Sequence, residues 1–312
     1  MTLLVRSGGA AAFAEWHAAF AEFAPGLEVR NWSDPDIDPH SVEYVMVWEP
    51  EHHRLATFPN LRMVCSAAAG IDHILSDPSL PRHLPLVRLV TADQAQRMGD
   101  YVCWAVLSLM RRIPEIIVEQ RARGFDTSMT GESAPDTRVG VMGLGAMGAR
   151  SAVMLAGLGF QVAGWSTSAK DIADVANFVG DAALPAFLAR TDILVCLLPL
   201  TPATTGIIRA ETIAQLPKGA CVVNAGRGRH VVDADLITAL DSGHLAGAVL
   251  DVFDPEPLPK ESPFWAHPKV IVTPHVASFG SRRVRARHIA GVIAAFERGE
   301  SIPGLYDPVR GY

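Results

Sequence analysis

The stretch Arg138-Val139-Gly140-Val141-Met142-Gly143-Leu144-Gly145-Ala146-Met147-Gly148 decides the fold. Five strand-like residues run straight into Gly-x-Gly-x-x-Gly, and a helical pattern over residues 146–158 leaves it. Such a glycine loop is weak evidence alone and much stronger between a strand and a helix. Gly143 permits the tight turn, Gly145 lets a pyrophosphate approach the backbone, and Gly148 allows helix to pack closely on strand. Amides at the helix start, over Ala146 and Met147, then face the phosphates. The alternative is a glycine-rich turn in an unrelated α/β fold, which this context disfavours.

Working outward, apolar runs predict strands at 138–142, 161–165, 193–197, 220–224, 246–251 and 270–273. Helices are expected at 146–158, 185–190, 210–215 and 233–242. Six strands with intervening helices match a doubly wound dinucleotide domain. Residues 139–165 are apolar enough to suggest a membrane span, but Arg150, Gln161, the glycines and the change of period favour strand–loop–helix–strand. Upstream, strands at 2–5, 27–29, 43–47, 62–66 and 86–90 alternate with helices at 10–23, 51–58 and 70–75, a smaller parallel α/β unit. One long apolar helix is expected from Asp100 to about Arg123, buried between domains or subunits or within a core. A last helix over 282–298 has Val284, His288, Ile289, Val292 and Phe296 as its expected apolar stripe, with its basic residues in solvent.

At 312 residues the chain is comfortable for two domains, and an apolar fraction of 49% supplies their cores. The net charge is −6 with no basic stripe, so neither nucleic acid nor an anionic membrane is an expected partner. Cys65, Cys103, Cys196 and Cys221 are scattered without metal-ligand spacing. They read as reduced core residues of a cytoplasmic protein, with no metal expected. The amino terminus has no secretory-signal pattern.

Three later segments each place one reactive side chain just past a strand: Arg227, Glu256 and His275. Ligands of open parallel sheets gather outside the carboxyl ends of the strands, so the three can form one site. An imidazole can give a proton to a carbonyl oxygen as hydride reaches its carbon. A carboxylate bonded to the ring favours the protonated form and fixes its tautomer. Arg227 can hold a substrate carboxylate as a fork and polarise the neighbouring ketone. These types suit reduction of a 2-oxo acid, or the reverse oxidation of a 2-hydroxy acid. Singly, Arg227 could cap carbonyls, His275 could be a satisfied core histidine, and Glu256 reads better as a solvated loop charge. Their common position after strand ends shifts the balance.

The second strand of the dinucleotide domain ends at Trp165-Ser166-Thr167-Ser168-Ala169-Lys170. An NAD site places Asp or Glu about 20 residues beyond the loop, and no acid occurs here until Asp171. Hydroxyls and Lys170 can accept a 2′-phosphate instead, so NADP(H) is expected, with NAD(H) as the alternative.

The segments Gly143–Gly148, Asn224–Gly228, Asp251–Pro257 and Thr273–Ser278 resemble the D-isomer-specific 2-hydroxyacid dehydrogenase family. Val47-Trp48, Val252-Phe253, Glu261-Ser262-Pro263-Phe264-Trp265 and Arg310-Gly311-Tyr312 look especially like its glyoxylate/hydroxypyruvate reductase A branch. That resemblance implies two Rossmann-like or flavodoxin-like domains with the active site in the cleft between them. Residues 1–98 with 285–312 would bind substrate, and 99–284 the dinucleotide. Arg227, Glu256 and His275 would be the catalytic triad. Asp251 would lie near the nicotinamide carboxamide, and Leu198-Pro199, Ala225 and Gly226 would flank the cofactor. The backbone of Ala69-Gly70-Ile71 would bind the substrate carboxylate, with Trp48 shaping the pocket. A cytoplasmic homodimer around the long helix is implied too. Where the branch commonly has Arg after the second strand, this chain has Thr167 and Ala169.

The favoured function is NAD(P)H-dependent reduction of small 2-oxo acids such as glyoxylate and hydroxypyruvate. One rival is an NAD-linked D-2-hydroxyacid dehydrogenase for a larger substrate. A formate-acting relative is disfavoured, since that lineage would carry Gln where this chain has Glu256. The other rival is a non-catalytic, dinucleotide-sensing interaction protein.

Overall fold

Period-two alternation sorts the first unit's strands onto two buried faces. The computed structural model describes residues 1–308, so Arg310-Gly311-Tyr312 of the resemblance lies outside the described residues. Unit one comprises Met1–Asp93 and the chain from Gly280 onward, and unit two is Gln94–Phe279. In unit one, β1 (Thr2–Arg6), α1 (Gly9–Phe23), β2 (Glu28–Asn31), β3 (Val42–Val47), β4 (Met63–Ser66), α2 (Asp72–Leu75) and β5 (Leu86–Val87) form a parallel sheet ordered β2-β1-β3-β4-β5. Leu3, Val5, Tyr44, Met46, Met63 and Cys65 enter one core with Trp16 and Phe20 of α1, whereas Leu4, Val45, Val47 and Val64 enter the other with Trp32 and Ile74. Burial on both faces is why these strands read as near-continuous apolar runs. The order is the flavodoxin-like one.

Unit two holds most of α3 (Ala92–Met110), then α4 (Ile113–Ala122), β6 (Arg138–Met142), α5 (Ala146–Gly157), β7 (Gln161–Ser166), β8 (Val175–Val179), α6 (Leu184–Ala189), β9 (Ile193–Cys196), α7 (Ala210–Ile213), β10 (Ala220–Asn224), α8 (Asp233–Asp241), β11 (Leu245–Leu250) and β12 (Val270–Val272). Its parallel sheet runs β12-β11-β10-β9-β6-β7-β8. Counted within the unit this is 3-2-1-4-5-6 with a seventh strand added, the doubly wound dinucleotide order. The chain order reverses between β6 and β9, so the loop after β6 lies at the switch point where ligands bind. Residues 139–165 accordingly form strand, loop, helix and strand, and among the described residues no helix is long and apolar enough to cross a membrane.

Several expectations need correction. The single helix over 100–123 is two, and it begins eight residues early, in a polar turn around Asp93 and Gln94 that masked its start. It breaks at Arg112, which adopts a left-handed φ of 56° two residues before Pro114. Proline lacks the N–H a continuous helix needs, and its ring clashes with the preceding turn. One strand of this sheet, β8, escaped the sequence reading because it is an edge strand with mostly exposed side chains; its Phe178 packs against the core. Expected helix 51–58 is only a one-turn 3₁₀ segment, Leu55–Thr57, and the strand at 86–90 shrinks to two residues.

The carboxy-terminal helix, α9 (Arg282–Glu297), buries Arg285, Ala286, Ile289, Ala290, Val292 and Ile293 against the core of β1 and α1. Its stripe is therefore rotated from the expected one, and one basic residue is inside. The Arg285 guanidinium lies 4.9 Å from the Trp16 ring and donates to the Ala67 carbonyl at 3.2 Å. Cation–π stacking and that hydrogen bond offset its desolvation, which pulls its pKa down to about 10.

Candidate active site

β10, β11 and β12 are parallel neighbours, with Asn224 beside Leu250 and Leu250 beside Val272. Their carboxyl ends therefore fall on one edge of the sheet, and each hands the chain to one reactive side chain. His275 follows β12 with φ 54°, the left-handed region that costs an ordinary residue about 1 kcal/mol or more. Fully buried Asp251 holds it there. The Asp251 carbonyl accepts from His275 N–H at 2.8 Å. One Asp251 carboxylate oxygen accepts from the Thr273 hydroxyl at 2.6 Å and Val276 N–H at 2.9 Å, and the other from Ala277 N–H at 2.9 Å. Asp251, expected near the cofactor, is thus also the staple of the histidine loop. Thr273 is shared with the Tyr101 hydroxyl, 2.7 Å away.

Glu256 meets the imidazole with Oε2 2.8 Å from His275 Nδ1, while Oε1 accepts from Phe253 N–H at 2.9 Å. Burial alone would raise the Glu256 carboxyl. The His275 hydrogen bond, the Phe253 amide and the charges of His275 and Arg227 outweigh it and hold the group below the ordinary carboxylate range. The carboxylate that read alone as a solvated loop charge is the imidazole's partner. With Nδ1 so engaged, proton exchange with a ligand falls to Nε2.

Arg227 leaves β10 through Asn224-Ala225-Gly226. The buried Asn224 amide donates to the Arg227 carbonyl at 2.8 Å and accepts from Gly226 N–H at 3.2 Å. The guanidinium donates to the Gly226 carbonyl at 2.8 Å, a local bond that sets its stem. A Cβ on Gly228 would lie 2.0 Å from the Phe253 carbonyl carbon, so only glycine lets the arginine loop rest on the backbone leading to Glu256. The sequence reading missed Asn224 and the buried His230. A polar residue closing an otherwise apolar strand was the available signal for the first.

The nucleotide loop fits a dinucleotide. Gly143 has φ 93°, and a Cβ there would lie 2.9 Å from the Leu197 carbonyl oxygen. At Gly148 a Cβ would fall 1.8 Å from the Gly143 oxygen, so helix and loop touch backbone to backbone. At Gly145 an added Cβ meets nothing within 4 Å, space that a pyrophosphate can use. The first turn of α5, starting at Ala146 and Met147, carries no acidic residue to repel phosphate. Leu144 is buried against Gly164. Next door, Trp165 donates to the Gly180 carbonyl and Ser166 to the Ser168 carbonyl, and Thr167, Ser168 and Lys170 are exposed at the end of β7. Leu198 and Pro199 follow β9, between the glycine loop and the arginine loop along the same edge.

Trp48 and Ala69-Gly70-Ile71 follow β3 and β4, neighbours in unit one with Val47 beside Ser66. Four consecutive carbonyls in this loop are held by donors: Ala67 by Arg285 (3.2 Å), Ala68 by Leu89 N–H (3.0 Å), Ala69 by Arg88 (2.9 Å) and Gly70 by the Ser66 hydroxyl (2.9 Å). With its carbonyls engaged, the loop has its amides as the groups to offer an anion. The Trp48 ring packs 4.2 Å from that of His73.

Residues 103–277 match the family described as D-isomer specific 2-hydroxyacid dehydrogenase, NAD binding domain. The glyoxylate/hydroxypyruvate reductase A of Salmonella paratyphi B is 40% identical over 302 residues, covering 95% of this chain and 96% of its own. Its counterpart from Yersinia enterocolitica is 36% identical, with 96% of each chain covered. A solved D-isomer specific 2-hydroxyacid dehydrogenase from Xanthobacter autotrophicus Py2, in complex with NADPH and MES, superposes with a TM-score of 0.94 at 42% identity, covering 100% of this chain and 99% of that one. The NADPH-dependent glyoxylate/hydroxypyruvate reductase of Sinorhizobium meliloti, in complex with NADP and sulfate, gives 0.92 at 39% identity with the same coverage.

Proposed function

Since the chain belongs to the D-isomer specific 2-hydroxyacid dehydrogenase family, and is thus an oxidoreductase, we propose that it reduces small 2-oxo acids such as glyoxylate and hydroxypyruvate with NADPH. The hydrogen bond of 2.8 Å between His275 Nδ1 and Glu256 carries this reading, because it makes a supported proton donor of Nε2. Arg227 binds the substrate carboxylate and draws electron density toward the ketone oxygen. His275 passes its Nε2 proton to that oxygen, becoming neutral, and Glu256 stabilises the ring while it is charged. Reduced nicotinamide, when bound, supplies the hydride to the carbonyl carbon. The amides of Ala69, Gly70 and Ile71 are the proposed anion-binding groups of unit one, and Trp48 is proposed to shape the space beside them.

The dinucleotide is assigned to Gly143–Gly148, with Trp165, Leu198, Pro199, Ala225, Gly226 and Asp251 around it. Thr167, Ser168 and Lys170 support NADPH over NADH, since none of them repels a 2′-phosphate. The proposed assembly is a homodimer. Trp104, Leu107, Ile116, Val118, Val153 and Leu158 expose apolar surface on α3, α4, α5 and the residue that ends α5. The proposed compartment is the cytoplasm, consistent with four buried cysteines that are all unpaired.

Initial rates on glyoxylate, hydroxypyruvate, pyruvate and phenylpyruvate with each reduced cofactor test the assignment. Faster turnover of phenylpyruvate with NADH would point to the NAD-linked rival. Background turnover on all four with intact NADPH binding would point to a sensor. His275→Ala should remove most turnover and leave NADPH affinity intact; a near-normal rate would mean the acid is misassigned.

A further inference from the structure

Buried His230 joins two loops at the sheet edge. Its Nδ1 lies 3.0 Å from the backbone nitrogen of Arg227, which can only donate. Nδ1 is therefore the unprotonated nitrogen, and the ring proton is on Nε2. Nε2 faces the Pro199 carbonyl at 3.3 Å, an acceptor, so one neutral tautomer satisfies both contacts. The same Pro199 carbonyl accepts from the Thr204 hydroxyl at 2.7 Å, which ties the segment to its own turn. Space around the ring is also specific. A Cβ on Gly226 would lie 2.9 Å from His230 Nδ1 and 3.3 Å from the Leu198 carbonyl oxygen, so Gly226 is the residue that lets imidazole and Leu198 backbone close on the arginine loop.

We infer that His230 is a positioning residue, holding the Arg227 backbone and the Leu198-Pro199 segment in one fixed piece. The inference rests on the assignment of Arg227 to substrate and of Leu198-Pro199 to the dinucleotide. Its consequence is that the two binding events share one rigid support. The fork geometry of a guanidinium on a carboxylate tolerates little displacement, so a shift of the Arg227 backbone is felt in the chemical step.

Two conservative variants separate the contacts. Asn places its side-chain oxygen near the position of Nδ1, and Gln places its amide nitrogen near that of Nε2. His230→Ala, His230→Asn and His230→Gln are compared for NADPH affinity by fluorescence titration, for kcat and KM on glyoxylate, and for thermal midpoint. His230→Ala should lower kcat/KM by about tenfold to a hundredfold, the effect of leaving one buried donor unmet, and weaken NADPH. His230→Asn should recover much of kcat/KM without restoring NADPH affinity, and His230→Gln should do the reverse. All three variants within twofold of the parent would overturn the inference. So would losses that follow the thermal midpoint with no Asn-against-Gln split. Arg227→Ala is run alongside. Full activity there refutes the assignment of Arg227 itself, whereas an inactive Arg227→Ala beside normal His230 variants refutes only the positioning.

Discussion

Replacing Glu256 by Gln should lower the rate at which the protein reduces its substrate. Reduction needs a proton on His275 Nε2, and the ring that carries it is stabilised by an adjacent carboxylate. The Glu256 carboxylate, 2.8 Å from Nδ1, fixes the ring's tautomer and supports its charged form. An ion pair with centres about 4 Å apart is worth about 1 kcal/mol in water and about 4 kcal/mol at an effective dielectric near 20. His275 and Glu256 side chains are 35% and 33% exposed, so solvent screening brings the value to roughly 1.5–3 kcal/mol. At about 1.4 kcal/mol per factor of ten, kcat/KM should fall by about tenfold to a hundredfold. Hydrogen bonding reinforces the direction. Glu256 uses one oxygen for Phe253 N–H and the other for His275. A glutamine with its oxygen on Phe253 turns its amide nitrogen toward Nδ1, which favours the neutral ring. The opposite rotamer sets two donors against each other at Phe253. The assay is kcat/KM for glyoxylate with NADPH, with binding of NADPH followed separately. A kcat/KM within twofold of the parent would refute the acid-supported imidazole.

Three other perturbations address the supports of the site. Gly228→Ala puts a Cβ 2.0 Å from Phe253 backbone, which cannot yield as a side-chain tip would; kcat/KM should fall about tenfold or more as the Glu256 loop is displaced, and unchanged kinetics would show that the loop gives. Ser66→Ala removes the hydroxyl that donates to the Gly70 carbonyl and accepts from Ala68 N–H, so KM for glyoxylate should rise several-fold while NADPH affinity holds. Equal loss of both would mark a general folding defect. At the start of β6, Arg138 donates to Asp192 through its backbone at 2.9 Å and through its guanidinium. Burial raises that carboxyl, but the Arg138 hydrogen bonds outweigh it and the net shift is downward. A depressed folded value means the contribution is full above the unfolded value near 3.8 and is lost as pH falls through the folded one. Arg138→Met should therefore flatten the acid dependence of the urea midpoint, and an unaltered slope would exclude the pair.

What the amino-acid order determined by itself is local. Gly143, Gly145 and Gly148 announce a nucleotide loop because backbone approach and a left-handed turn demand residues without a side chain. Apolar runs in β1, β3, β6, β9 and β10 announce parallel strands because both faces of each are covered. Arg227, Glu256 and His275 were legible as candidates because each stands just past such a run. Edge strand β8 was not legible, since exposure on an edge leaves little apolar pattern to find. Nor was the break at Arg112, where Pro114 overrode an apolar period that otherwise continued. Tertiary structure alone decided the pairings: which carboxylate faces the imidazole, which glycine rests on which backbone, and which way His230 is protonated. Hydrogen bonds and close contacts join residues far apart in the chain, such as Asp251 with Val276 and His230 with Pro199, and sequence spacing contains no record of those distances.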